Sequence, residues 1–595
     1  MTLTQMAVII GIVTFGIYAL SLRDAFVSLD DGLLIYQNFA VLSLTPHTLL
    51  RIFTSYDPEL YVPLTLFTYQ LNHLVGGLSP IGYHLVNLLL HIGNAILVLL
   101  VVEHLSHRRL IAFICALLFA IHPIQVEAVA WAAARKDVLA AFFGLSSMLL
   151  YLVHRERGSK KFLWWGILCF GLGLLSKVSI ITLPVVFLLI DWKDGRASKW
   201  NALKEKIPYG LLFFIFAAIA IYGKTQVLGS SGFVLNVLLA AKSTAFYLWK
   251  MIAPIGFSVI YPQSMPVLLT DSTIALSLLF CLTLVMLLCW MLVKGTYREV
   301  AFTLGLYLLF LVPNATNFYK NGFLFFASDR YAYLASIGVF YLFAMVTARL
   351  LERPRWSAVA SAFFGCVVVV CLAITPLQAR TWLDSEVLYR NVIALYPDSA
   401  LAHNNLGDVL VKAGREPEAI PEFQKALQLD PHMMSAHINM GDVFKRKGDL
   451  SSAEVEYKAA VQSIEAKASL NLDEFAPYYF LGELYEQTGN QNACLVQFQR
   501  AVERGPNYAE THYNLALKYH KFGHVDEAAA EYAKAIALDP TALPARYHFS
   551  ALLSENGHLD EAVLQLQAIV AVDPQYEEAA KHLAAIERIR RGGNQ

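Results

Sequence analysis

The sequence predicts an all-α protein built of two bodies, a polytopic helical membrane domain and an α-solenoid of repeated helix pairs. Three observations lead there. The 595-residue chain is 57% hydrophobic and only 15% charged, too apolar for an ordinary soluble domain. Its formal charge of zero conceals a division: residues 1–376 hold 26 Lys and Arg against 16 Asp and Glu, while residues 377–595 hold 20 against 30. Within the acidic part, apolar and small residues recur with a period of 34. An acidic soluble part is repelled by phosphate backbones, which argues against a nucleic-acid partner. Six of the seven cysteines lie in apolar runs, Cys494 stands alone in the soluble part, and no CxxC spacing or disulfide framework occurs.

Eleven apolar stretches (5–22, 82–102, 110–126, 138–153, 162–176, 178–190, 207–223, 272–293, 300–313, 331–349 and 356–376) read as spans. Several fall short of the ~20 residues needed to cross ~30 Å of hydrocarbon, so their ends must extend into the flanking polar sequence. The run 239–257 contains Lys242, Lys250 and Pro254 and reads as interfacial or re-entrant. With the N-terminus in the cytoplasm, the loops around Arg108, Arg155–Lys161, Lys193–Lys206, Lys294–Arg298 and Arg349–Arg355 lie inside and hold 16 of the 26 basic residues. An odd number of spans then sends the C-terminal part outside. The first span lacks a basic leader and a small-residue cleavage site before Arg23, so it is expected to be an uncleaved anchor.

In the acidic part, Leu406, Met440, Leu481, Leu515 and Phe549 are separated by 34, 41, 34 and 34 residues. Ala419, Ala453, Cys494, Ala528 and Ala562 follow thirteen positions later in each copy, where two helices must approach closely. Prolines 431, 506, 540 and 574 stop the second helices because they have no amide to donate. This is the pattern of tetratricopeptide helix pairs. Five repeats are expected at 400–433, 434–467, 475–508, 509–542 and 543–576, with an insertion around Glu465–Asp473 and a capping helix and tail at 577–595. Residues 378–399, between the membrane domain (1–377) and the repeats, read as a linker whose half unit Trp382–Pro397 caps the array. Pro421 falls inside a second helix and is expected to kink it.

Arg135, Lys136, Lys177 and Arg330 lie at one leaflet, against the positive-inside trend, and charges at that depth need partners. Carboxylates accompany them in three outer segments, as Asp30–Asp31, Glu127 with Asp137, and Asp329. Two readings stand. Arg135, Asp137, Asp329 and Arg330 pair with one another and hold helices together, or the cations hold a phosphate at headgroup level.

The order SLDDGLLIYQN, YVPLT, GYHLVNLLLH, HPIQVEAVAW, RKDVLA, LLSKVSIITLPVVFLLID and SDRYAYLASIGVF, followed by the repeats, resembles the transmembrane and tetratricopeptide-repeat protein O-mannosyltransferases over nearly the whole chain. The resemblance implies a GT-C glycosyltransferase membrane fold and transfer of a sugar from a polyprenyl-phosphate carrier on the outer or lumenal face. The length is closer to a bacterial branch, which implies an inner membrane with periplasmic repeats. An endoplasmic reticulum membrane with lumenal repeats is the alternative.

In that superfamily an acidic residue of the first outer loop is the proposed base. This agrees with the chemistry of Asp30 and Asp31, since a carboxylate must lie within hydrogen-bond reach of the acceptor hydroxyl. One is expected to be the base, with Asp30 favoured, and the other an orienting group or metal ligand. Arg135, Lys136 and Lys177 match the family pattern and, with Arg330, are expected to meet the leaving phosphate. His84, Asn87 and His91, at helical spacing, are expected to form a polar shell with His122, Glu127, Asp137, Asp329 and Tyr331. Asp30, Asp31, His84, His91, His122 and Glu127 are also ligand types for a divalent metal, though without a compact metal spacing, so a hydrogen-bonded network and a metal both stay open. In the repeats, Asn405, Asn439 and Asn514 share one register and are expected to bind an extended acceptor peptide.

The reading is an inverting transferase moving a hexose, mannose by resemblance, to Ser/Thr hydroxyls of a protein held by the repeats. Its alternatives are transfer to a glycan or lipid and a non-catalytic membrane-anchored scaffold. A secondary transporter fits less well, because no internal membrane repeat or mid-span charge is found.

Overall fold

The computed structural model describes all residues except 57–59, 197–199, 228–231, 321–322, 467–474, 574–575 and 593–595. The protein is 80% helical. The one sheet among the described residues is small: Tyr261–Pro262 and Tyr319–Lys320 flank Phe323–Ala327, both antiparallel. Two compact units form, Met1–Ser399 and Ala400–Gln595.

Helix starts in the first unit follow local chemistry. Thr2 and Gln5 form a capping box for Leu3–Tyr18, and a proline opens both Pro80–Ser106 and Pro354–Ala379, where a missing amide costs nothing. Among the described residues, six helices are long and apolar enough to cross a membrane: Leu3–Arg23, Pro80–Ser106, Ala132–Arg157, Ala202–Gly223, Ser272–Lys294 and Pro354–Trp382. Arg109–Ile121 and Pro123–Ala130 add a seventh only as a pair bent by 55°. Six of the eleven expected spans are thus single long helices. The remaining expected spans are the helices Lys160–Ser176, Leu183–Lys193, Arg298–Leu311 and Ser336–Leu351, of 17, 11, 14 and 16 residues. They are short because the apolar runs are broken where polar groups turn inward, at Lys177 and at the turn Asp329–Ala332.

The run read as re-entrant belongs to the helix Phe233–Ile252. Its polar groups bond to the adjoining loops: Lys242 to Gln263 at 2.6 Å, Lys250 to the carbonyl of Ile255 at 2.6 Å, and the Tyr247 hydroxyl to the Ser328 carbonyl at 3.0 Å.

At the basic-loop end of the unit, buried Asp191 gathers Tyr151 at 2.9 Å, Lys206 at 2.5 Å and Arg155 at 3.3 Å. At the other end, the loops after Arg23, Ile121, Ser176, Ile252, Leu311 and Ala379 converge, and the candidate site lies there.

The second unit is the solenoid of helix pairs, from Ala400–Lys412 with Glu416–Leu429 to Leu543–Glu555 with Leu559–Val572, closed by Glu577–Gly592. Ala419, Ala453, Cys494, Ala528 and Ala562 are all fully buried. The Leu-Gly position has a steric origin. A Cβ on Gly407 or Gly441 would stand 2.5 Å from the ring of Phe423 or Tyr457, and one on Gly482 2.8 Å from Phe498, so only glycine lets the second helix lay its aromatic ring against the first. Pro421 lies inside the second helix Glu416–Leu429, as expected, on its exposed side. Most of the expected insertion and Pro574 lie outside the described residues.

Candidate active site

The two neighbouring aspartates are built into different surroundings. Asp31 is fully buried, and its two carboxylate oxygens accept the backbone amides of Val27 and Ala133, each at 2.8 Å. Burial pushes its carboxyl up to about 7, against the two amides that favour the charged form. The next turn is close-packed: the Cβ position of Gly32 lies 2.9 Å from Oε1 of Gln37 and 3.1 Å from the Tyr36 hydroxyl. Asp30 keeps its side chain 21% exposed, with the Lys136 ammonium 3.2 Å from Oδ2.

Three ion pairs meet around two aromatic rings. Lys136 pairs with Asp30, Lys177 with Asp137 at 2.5 Å, and Arg330 with Glu127, whose carboxylate also accepts the Ser328 hydroxyl at 2.6 Å. Trp131 lies between two of the cations, its ring 5.5 Å from the Lys136 ammonium and 4.8 Å from the Arg330 guanidinium. Tyr331 lies between Arg330 at 4.9 Å and Lys177 at 5.4 Å. Four segments of chain thus converge, from residues 30, 127–137, 177 and 328–331. Burial lowers the Lys177 ammonium to about 8; Asp137 supports its charge, while Arg330 and Lys136 oppose it. Arg330 also suffers burial, but Glu127 and other carboxylates, Asp137 and Asp30 among them, hold it above its ordinary value. The cations are therefore close enough to repel one another and are kept together by an equal number of carboxylates. Asp137 Oδ2 and Arg330 Nε are buried and lack a hydrogen-bond partner among the described residues.

Asp329 is turned away from this group. Both its oxygens accept the Tyr261 hydroxyl, at 2.8 and 2.9 Å, and burial followed by the Glu127 charge raises its carboxyl well above the usual range. The expected pairing of Arg135, Asp137, Asp329 and Arg330 with one another is corrected: Asp137 and Arg330 take Lys177 and Glu127 as their close partners.

Arg135 is not a phosphate contact in this structure. It is fully buried, donates to Asn87 at 3.0 Å, Asn72 at 2.5 Å and the Tyr83 carbonyl at 2.9 Å, and stacks 4.5 Å from the Tyr69 ring. Three members of the expected polar shell are likewise packing groups. Asn87 donates to the carbonyl of Trp131, His91 meets Tyr333 at 2.7 Å and the Ala120 carbonyl at 3.1 Å, and His122 accepts the Ile124 amide and reaches the Met251 carbonyl. His84 is buried with its ring against the backbone of Asp24 and Ala130. Nor do Asp30, Asp31, His84, His91, His122 and Glu127 come together: no group of three His, Cys, Asp or Glu side chains suited to a metal occurs among the described residues. The polar types are those of a metal site, but helix packing disperses them.

In the repeats, Asn439 donates to Asn404 at 3.0 Å and Asn404 to Asn405 at 3.2 Å, a chain of amides across two repeats, while Asn514 is half-buried farther along. A second series escaped the sequence reading. His403, His437 and His512 bond Glu422, Glu456 and Glu531 at 2.6, 2.7 and 2.5 Å, always nineteen residues on. Arg546 and Gln565 repeat this clasp at 2.7 Å. The histidines stand in one register of the repeat, which is the signal that could have revealed them.

Tetratricopeptide-repeat family models match residues 377–433, 476–508 and 519–586. Protein O-mannosyl-transferase TMTC4 of Homo sapiens is 26% identical over 442 residues, 62% of this chain and 58% of that protein. The chain is a homologue of the protein O-mannosyl-transferases. Protein O-mannosyl-transferase F38B6.6 of Caenorhabditis elegans is 26% identical over 395 residues, 64% of this chain and 55% of that one. The chain thus spans little more than half the length of these curated relatives. Among solved structures, YrrB, described as a TPR protein with an unusual peptide-binding site, covers 33% of this chain and 96% of its own at 21% identity, with a TM-score of 0.26.

Proposed function

We propose that the protein is an inverting glycosyltransferase that moves a hexose, mannose in the first instance, from a polyprenyl-phosphate carrier to Ser/Thr hydroxyls of a protein. The observation that carries this reading is the juxtaposition of a part-exposed carboxylate, Asp30, with three cations brought from separate segments, Lys136, Lys177 and Arg330. The acceptor oxygen attacks the anomeric carbon, its proton passes to Asp30, and the bond from that carbon to the phosphate oxygen breaks with the electron pair leaving on polyprenyl phosphate. The charge of the leaving phosphate is met by the three cations, which is where such a site gains most of its rate. Lys136 pairs with Asp30 in the resting site, so a phosphate that draws the ammonium away also removes that cation from the carboxylate and raises its basicity. No step requires a metal.

The names of the homologues support a protein acceptor and mannose, and the six long apolar helices support a membrane enzyme. The loop charges favour the site and the repeats on the outer face, periplasmic in a bacterial inner membrane or lumenal in the endoplasmic reticulum. The repeats would hold the acceptor protein, with Asn405, Asn439 and Asn514 along its path. The deciding experiment is transfer from radiolabelled polyprenyl-phosphate mannose to total outer-compartment protein by the purified enzyme in a bilayer. Label on protein Ser/Thr is expected. Label on lipid or glycan alone would replace the acceptor, and no label at all would remove the activity.

A further inference from the structure

The segment between the last long helix and the repeats lies in the first unit and packs against the candidate active site. Asp384 caps the helix Ser385–Leu395 by accepting the Val387 amide at 2.8 Å, and Leu388, Tyr389 and Val392 are buried along one face. Ser385 and Tyr389, one helical turn apart, use their hydroxyls on the same residue. Ser385 Oγ accepts the Ser28 amide at 2.8 Å, and the Tyr389 hydroxyl donates to the Ser28 carbonyl at 2.8 Å. The Ala25 amide donates to the Leu383 carbonyl at 2.8 Å.

The same segment reaches the cation side of the site. Trp382 stacks on Trp131 with centroids 5.7 Å apart, beneath the ring that Lys136 and Arg330 face. Asn391 donates to the Phe257 carbonyl at 3.2 Å, and Tyr396 lies edge-on to Tyr261, the residue that holds Asp329. One short helix and its flanks therefore touch the base loop, the tryptophan between the cations, and the loop behind Asp329 and Arg330.

We propose that Ser385 and Tyr389 are positioning residues for the transfer reaction: by fixing both backbone groups of Ser28 they set the turn that presents Asp30. This rests on the reading of Asp30 as the base. Backbone groups are strong handles on a loop, because an amide or carbonyl taken from water and left unpaired is costly. Small misplacements of a catalytic group are felt in the rate rather than in ground-state binding.

The test uses the full chain in a bilayer with polyprenyl-phosphate mannose and a Ser/Thr peptide. Ser385→Ala and Tyr389→Phe each delete one hydroxyl while keeping the fold's apolar packing, and Ser385→Thr restores an oxygen. The double variant is expected to lose tenfold or more in kcat, with donor Kd and acceptor KM within about twofold, and faster amide exchange confined to residues 25–31. Ser385→Thr is expected to recover most of the loss due to Ser385→Ala. In an Asp30→Asn background the double variant is expected to cost nothing further, since the two act through one group. Unchanged exchange at 25–31, or faster exchange with unchanged kcat, overturns the positioning role. If the unaltered chain transfers no sugar, the reading of the site fails and the catalytic role falls with it, while exchange at 25–31 still decides whether the helix holds the loop.

Discussion

Lys136 approaches Asp30 from 106 residues away, its ammonium 3.2 Å from the carboxylate, on the helix that begins two residues beyond the amide of Ala133 held by Asp31. The adjoining aspartates thus divide the work: Asp31 fastens the first loop to the start of that helix, and Asp30 is left facing the cations. Exchanging the carboxylate for an amide distinguishes them. Asp30→Asn is expected to lower transfer by about 10² to 10⁴, the usual worth of a positioned base, with thermal stability and donor binding nearly unchanged. Asp31→Asn replaces one accepting oxygen with a donor facing a backbone amide, so it is expected to lower Tm as well. Full transfer by both variants sinks the assignment.

The cations separate in the same way. Lys177→Ala and Arg330→Ala are expected to raise the donor Kd at least tenfold, since they remove charge where the phosphate would lie. Arg135→Ala strands Asn87, Asn72 and the Tyr83 carbonyl, and each buried polar group left without a partner costs about 1 to 3 kcal/mol. Its signature is lost folding yield or a lower Tm. Equal donor affinity in the Lys177 and Arg330 variants and the unaltered chain would return these residues to a structural role.

A pH dependence follows from the first loop. Burial, helped by the charge of Asp384, raises the Asp24 carboxyl to about 7, and burial raises that of Asp31 to about 7. A carboxyl raised on folding contributes stability that is complete below its unfolded value of ~4 and lost as pH climbs through the folded value. Protection factors of amides 24–31 are therefore expected to fall as pH rises from about 4 to about 7, and less so in Asp24→Asn. A flat profile contradicts the prediction.

In the repeats, Gly441→Ala places a methyl where the Tyr457 ring already lies, 2.5 Å from the new carbon. Overpacking of this kind costs about 1 to 3 kcal/mol. The variant is expected to lower the Tm of the repeat transition, whereas Gly448→Ala strains only an exposed turn of positive φ and is expected to cost less. Denaturation followed by circular dichroism ranks the two.

Truncation tests the division of labour, and the cut matters. A chain ending at Leu377 loses Trp382, Ser385 and Tyr389, so it is expected to be a poor enzyme on any acceptor. One ending at Ser399 keeps them, and it is expected to retain donor binding and transfer to a short peptide while losing transfer to the whole acceptor protein, which is no longer held at high local concentration. Undiminished transfer to the whole protein would show that the repeats hold something else.

The sequence by itself determined the two bodies, the all-α class, the period of the repeats and the residue types of the site. These are properties of composition and local spacing: apolar runs report the solvent, a 34-residue period reports a stacking unit, and a glycine facing a ring sixteen residues on is contained within one repeat. Lys136, Lys177 and Arg330 stood out as candidates because charges at membrane depth are costly and so conspicuous, and Asp30 because its loop carries the family resemblance. What each charge does was left to the tertiary structure. Arg135 and Lys136 are neighbours in sequence, yet helix geometry turns one into a shell of neutral acceptors and the other toward Asp30. The dispersal of His91 and His122, the pairing of Lys177 with Asp137, and the return of Ser385 and Tyr389 to Ser28 across more than 350 residues depend on which surfaces pack together. No local pattern encodes that, because a hydrogen bond between distant segments is selected by the packing of everything between them.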